Sequence, residues 1–153
     1  MSMRDWDLAA ITAAIVDSYV KYAGVELIER SGNPDIDART LMELDAVVLS
    51  HDGGVDPVFV YANKAASRLW RMPVEELVGM QSRLSAAPEH RAARASMLSD
   101  AAANRILFGY RGERVASDGT RFVIEDATLW TVDAYPDGPG QAVVFSTWHL
   151  LDG

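Results

Sequence analysis

The chain has 153 residues, 49% of them hydrophobic and 24% charged, and a net charge of −8. That length is one domain with a core of its own, and the excess of acid argues against binding nucleic acid or an anionic membrane. There is no cysteine, which excludes disulfides, thiolate nucleophiles and cysteine-ligated zinc.

Met1 to Asp7 carries two acids and one arginine, so a secretory leader is not expected. The longest apolar stretch, Leu8 to Val16, is too short to span a bilayer. A cytoplasmic protein is the expectation. Residues 5 to 22 read as an amphipathic helix. Leu8, Ile11, Ile15, Tyr19 and Tyr22 follow three-four spacing, with Asp5 and Asp7 in the first turn, Lys21 in the last and Gly24 just beyond. Two roles suit this helix, covering its own sheet or pairing two copies into a homodimer, and periodicity does not choose between them.

Gly32-Asn33-Pro34-Asp35 is a turn, and residues 37 to 44 form a short helix. Ala46 to Ser50 is a first strand. The loop His51-Asp52-Gly53-Gly54 leads through Asp56-Pro57 to a second strand, Val58 to Tyr61, expected to pair with the first as an antiparallel hairpin. Asn63 stops that strand and caps a short helix, because its side-chain oxygen can accept a free N–H of the next turn. Ala65, Ala66, Leu69 and Trp70 give the helix its apolar face. Pro73 ends it, and Glu75 to Val78 makes a second short helix closed by Gly79.

Residues 88 to 103 read as a long helix with Pro88 in its first turn. Its Ala92, Ala95, Ser96 and Ser99 form a small-residue face toward the sheet, with Met97 and Leu98 adding bulk. Ile106 to Val115 is a strand, Ser117-Asp118-Gly119-Thr120 a hairpin turn, and Phe122 to Val132 the next strand. Ala134 to Gly140 is a loop, and Gln141 to Leu150 is the last strand. The fold class is α+β: a five-stranded antiparallel sheet with short helices and one long helix on one face, plus the N-terminal helix. All of it forms one domain over residues 1–153.

Strict alternation puts Phe122, Ile124, Asp126, Thr128 and Trp130 on one face. Asp126 among apolar neighbours needs a partner or a raised pKa, and Arg111 and Arg114 lie across the hairpin as candidates for a brace. The last strand puts Val143, Phe145, Thr147 and His149 together. With that face inward, Asp126 and His149 are the polar groups of a mostly apolar cavity. The enzymatic alternative is an acid–base pair of the same two residues, which needs hydrogen-bond reach and matched pKa values. His51, His90 and His149 have no metal-ligand spacing.

Tyr61-Ala62-Asn63 through Glu75-Glu76-Leu77-Val78-Gly79 resembles the core of PAS domains. Leu49-Ser50-His51, Asp56 to Asn63, Ser82-Arg83-Leu84-Ser85-Ala86, Tyr110-Arg111-Gly112, Ser117-Asp118-Gly119 and Gly140-Gln141-Ala142 resemble the MEKHLA domain. That PAS-related family occurs as free-standing bacterial proteins and at the C-terminus of plant homeodomain–leucine-zipper regulators. The resemblance implies a non-catalytic sensory or regulatory domain with a ligand space between the sheet and the short helices, beside Asn63. The partners expected on that basis are a small molecule, a regulatory protein or a second copy of the chain.

Gly79-Met80-Gln81-Ser82-Arg83-Leu84 resembles the flavin-binding segment of LOV domains. The resemblance puts Ser82 where that branch has its reactive cysteine, Arg83 at a phosphate, and Arg114, Ile124 and Thr147 where amides would face the ring. A hydroxyl cannot replace the thiolate, and the ring edge would go unpaired, so no flavin is expected. Nor is haem, for which His90 is the only candidate ligand that the resemblance suggests.

Overall fold

Residues 6 to 151 are described by the computed structural model. Helix α1 (Leu8–Ala23) begins where the Asp7 carboxylate accepts the Ala10 amide, and Gly24 ends it at φ 79°. Asp7 is thus the cap rather than part of the first turn, and Asp5 lies outside the described residues. Helix α2 (Pro34–Met42) starts earlier than the expected 37, because the Asn33 side-chain oxygen accepts the amides of Asp35 and Ile36 and Pro34 fits the first helical position.

Strands β1 (Val47–His51) and β2 (Phe59–Ala62) pair antiparallel. Helices α3 (Lys64–Trp70) and α4 (Val74–Leu77) follow. Two 3-10 turns, Ser82–Ser85 and Pro88–His90, lead into α5 (Arg91–Asn104). The chain then makes β3 (Ile106–Val115), β4 (Arg121–Val132), β5 (Gly140–Phe145) and β6 (Thr147–Leu150). The sheet order is β2-β1-β5-β4-β3, with β6 on β4, and every pairing is antiparallel.

The single last strand expected from sequence is therefore two strands, which gives six in all. Both keep one register on β4, with Thr128 opposite Val144 and Glu125 opposite Thr147. Between them Asp126 takes φ 51°, Gly109 on β3 takes φ 69°, and the β3–β4 register slips and recovers around Tyr110. An unpaired residue of this kind reverses which side chains face the core. Phe122 and Ile124 thus share a face with Ala127 and Leu129, while Trp130 and Val132 point the other way. The expected common face of Phe122, Ile124, Asp126, Thr128 and Trp130 does not exist.

One face of the sheet packs against α3, α4 and α5, with Leu49, Phe59, Leu69, Trp70, Leu77 and Phe122 in its core. Ile15 and Val16 of α1 and Leu41 of α2 cover the other, over Val48, Tyr61 and Trp130. So α1 lies on its own sheet. On α5 the inward stripe is Arg94, Met97 and Ala101, and the expected face of Ala92, Ala95, Ser96 and Ser99 is exposed. No helix among the described residues is long and apolar enough to cross a membrane.

Candidate functional site

Asn63 fixes the frame of the site. Its side chain is fully buried; its oxygen accepts the Val48 and Ala66 amides and its nitrogen donates to the Leu41 and Ala46 carbonyls. One residue thereby caps α3 and ties β2 to β1 and to the end of α2. All its hydrogen-bonding capacity is used on backbone, so it holds the site's walls and does not face into it.

Between the inner face of the sheet and α3 and α5 lies a cavity of about 40 Å³. Its lining is mostly apolar: Leu49 and Phe59 from the hairpin, Trp70 from α3, Ile124 and Leu129 from β4, and Phe145 from β5. Into this setting project His51, Arg94, Arg114 and Gln141. Arg94 and Arg114 are 8% and 6% exposed. The Arg114 guanidinium donates to the Glu113 carbonyl at 2.8 Å and to the Tyr110 hydroxyl at 3.1 Å, and lies 5.5 Å from the centre of the Tyr110 ring. Burial, and then the charge of Arg114, pull the Arg94 guanidinium down to about 10. No ion pair reaches either group among the described residues.

His51 sits at the cavity's polar end. Its Nδ1 lies 2.8 Å from the Asp52 carbonyl oxygen, which only accepts, so this nitrogen carries the proton. Its Nε2 is buried without a hydrogen bond of normal geometry. Burial holds the imidazole below its ordinary range, against the opposing pull of the Asp52 carbonyl. The folded ring therefore takes up a proton only at lower pH than the unfolded chain, which protonates below about pH 6.5. The stability linked to the neutral ring is complete above that pH and falls as the pH drops below it, with a limiting slope of about 1.4 kcal/mol per pH unit. His51→Gln is expected to remove that component. Urea midpoints of the two proteins between pH 7.5 and 5.5 will converge if it does, and run parallel if His51 titrates normally.

The other sequence candidates are scattered. Arg114 and Ile124 line the cavity. Ser82 is buried but lies outside that lining, its hydroxyl without a partner. Arg83 is half exposed and pairs with Asp56 at 3.3 Å. Asp126, Thr147 and His149 are exposed, because the irregularity at Asp126 and the break at Ser146 turn them off the inner face. The nearest acid to His149 in an ion pair is Glu125, at 3.9 Å, so the Asp126–His149 pair is not formed. Nor is the brace to Asp126: Arg111 bonds Glu125 at 2.7 Å, and Arg114 turns to Tyr110. His90 pairs with Glu113 outside the cavity.

The residues present do not fit a flavin. The cavity has room for about three water-sized groups, whereas a single benzene ring takes a cavity of about 150 Å³. Thr147 does not face it, and Arg83 is engaged at the surface. Sequence reading missed Arg94, Gln141 and His51 as cavity residues. The spacing of Arg94 with Met97 and Ala101 is a partial signal, but its charge assigns it to the solvent side of the helix.

The family model of the MEKHLA domain matches residues 9–150. No curated protein matches the chain. Among solved structures, the PAS domain of a protein from Colwellia psychrerythraea superposes with a TM-score of 0.61 at 14% identity, covering 72% of this chain and 92% of that one. A fungal LOV domain photoreceptor gives 0.57 at 19%, covering 95% and 92%. The LOV domain of a blue-light activated histidine kinase from Erythrobacter litoralis gives 0.56 at 14%, covering 72% and 100%. At these identities the likeness is one of fold.

Proposed function

This chain belongs to the MEKHLA domain family, and from that premise we propose that it is a non-catalytic cytoplasmic sensory module that binds a small ligand in its inner cavity. The observation that supports this reading is the lining itself. His51, Arg94, Arg114 and Gln141, with Ser50, Ser85 and Tyr110, are the polar members of a lining that is otherwise apolar, the usual composition of a small-molecule site. The Asp126 and His149 side chains needed for acid–base chemistry are out on the surface, which favours binding over turnover. Native mass spectrometry of freshly purified protein tests it. A retained mass lost on mild denaturation is expected, and a bare chain mass under every gentle condition, with no small molecule shifting the melting temperature, counts against it.

A second reading, docking of a regulatory protein or a second copy, has its own observation. Strand β6 is exposed throughout, with Trp148 and Leu150 beside the shallow surface formed by Val47, Ala65 and Leu69. The same mass spectra report subunit count, and a dimer that dissociates on Trp148→Glu would favour this reading.

A further inference from the structure

Taking the cavity as the ligand site proposed above, we infer that its occupant is a carboxylate of two or three carbons, whose carbon atoms match a space of about three water-sized groups. Its head would lie between Arg94 and Arg114 and its tail against Leu49, Ile124, Leu129 and Phe145. Three features lead there. First, two arginines, each more than nine-tenths buried as a residue, line one small space. Buried charges are ordinarily paired, and neither has an acidic partner among the described residues. Arg114 has two hydrogen bonds to neutral oxygens. Arg94 has no side-chain hydrogen bond to any described residue. The absence of a carboxylate is the more telling in a chain with 22 acidic residues against 14 basic ones. An anion between the two positive groups removes their mutual repulsion and supplies charge-assisted hydrogen bonds.

Second, the remaining wall discriminates among anions. Inorganic phosphate or sulfate is polar on every side and would leave oxygens against Leu49, Leu129 and Phe145. A carboxylate presents charge at one end and hydrocarbon at the other, which suits a lining that holds two arginines and is otherwise largely apolar. The neutral His51 ring and the Gln141 amide accept or donate at the edge without adding charge. Third, the cavity shares a wall with the surface. An outer groove lined by His90, Ala93, Gly112 and Glu113 shares Arg94, Tyr110 and Arg114 with the cavity, so the two arginines stand at the boundary between surface and interior.

The full chain is titrated with propionate, propionamide, 1-propanol and inorganic phosphate while the methyl signals of Met97 and Leu129 are followed by NMR. Propionate is expected to give saturable shifts at both methyls. Propionamide, equal in shape and uncharged, is expected to bind at least about tenfold more weakly, and phosphate not to move the methyls. Arg94→Gln and Arg114→Gln are each expected to weaken propionate about tenfold or more. Arg94→Gln is further expected to melt no lower than the parent, since it removes an unpaired buried charge; this separates lost binding from lost folding. Equal binding of propionate and propionamide, tighter binding of phosphate, or unchanged propionate affinity in Arg94→Gln each overturns the carboxylate assignment. If propanol or propionamide saturates the site and propionate does not, the cavity remains a ligand site and only its anion preference falls. If none of the four moves either methyl, the carboxylate assignment falls, and a ligand-free native mass spectrum then takes the cavity reading with it.

Discussion

Asn63→Ala is expected to cost about 4 kcal/mol of folding stability, a large share of what a domain of this size has. The side chain contributes little apolar area. The loss comes from the four backbone groups it serves, the amides of Val48 and Ala66 and the carbonyls of Leu41 and Ala46. Alanine leaves these groups buried with no water to replace the amide, and each unpaired group costs about 1 to 3 kcal/mol. Asn63→Asp is a sharper test of the same point. It keeps both acceptor contacts but sets a carboxylate against two carbonyl oxygens, so it is expected to be no better than alanine at neutral pH. Urea unfolding followed by circular dichroism measures both. A loss under about 1 kcal/mol in Asn63→Ala would mean that water or a shift of β1 replaces these bonds.

Trp130→Ala is expected to cost a similar amount, about 4 kcal/mol, by a different route. Trp130 is fully buried beneath α1. Its indole N–H donates to the Ser18 hydroxyl at 2.9 Å, and that hydroxyl lies within 2.9 Å of the Ala14 and Ile15 carbonyls. The ring also meets Tyr19 edge to face at 4.8 Å. Truncation leaves a void under the helix and a hydroxyl without its donor. Amides in the middle of α1 are then expected to exchange faster than those of β4, because the helix loses its main anchor while the sheet keeps its neighbours. Trp130→Phe keeps much of the volume and loses the hydrogen bond, so about 1 to 2 kcal/mol is expected. Uniform loss of protection over α1 and the sheet would show that the helix and the sheet open together.

The local grammar of the chain was readable where one residue type does one job. Asn63 as a cap, Gly24 as a left-handed terminus and the turn at Asp118-Gly119 all follow from backbone chemistry within a few residues, and the structure has them there, whereas α3 ends before Pro73, at Trp70, on a left-handed Arg71, and Pro73 instead opens α4. The face of a strand is different, since it depends on every residue keeping the alternation. Asp126 breaks it with φ 51°, a conformation that aspartate tolerates but does not announce. That residue, with the break between β5 and β6 at Ser146, carried Thr147 and His149 out of the expected site. Arg94 was hidden for the opposite reason. A charged residue in an alanine-rich helix is ordinarily on the solvent side, and only the position of the sheet makes it an inward one.

Leu129 and Trp130 are neighbours in sequence on opposite sides of the sheet, one in the cavity wall and one under α1. Trp70 faces the same cavity, with its indole N–H buried and unpaired. The protein thus carries one intrinsic fluorophore on each side of its own floor, besides Trp6 and Trp148. Emission from Trp70 reads what enters the space directly, and emission from Trp130 reads whether the floor moves in response, so with Trp6 and Trp148 replaced by Phe, a further Trp70→Phe change separates occupancy from its transmission to the N-terminal helix without any added label.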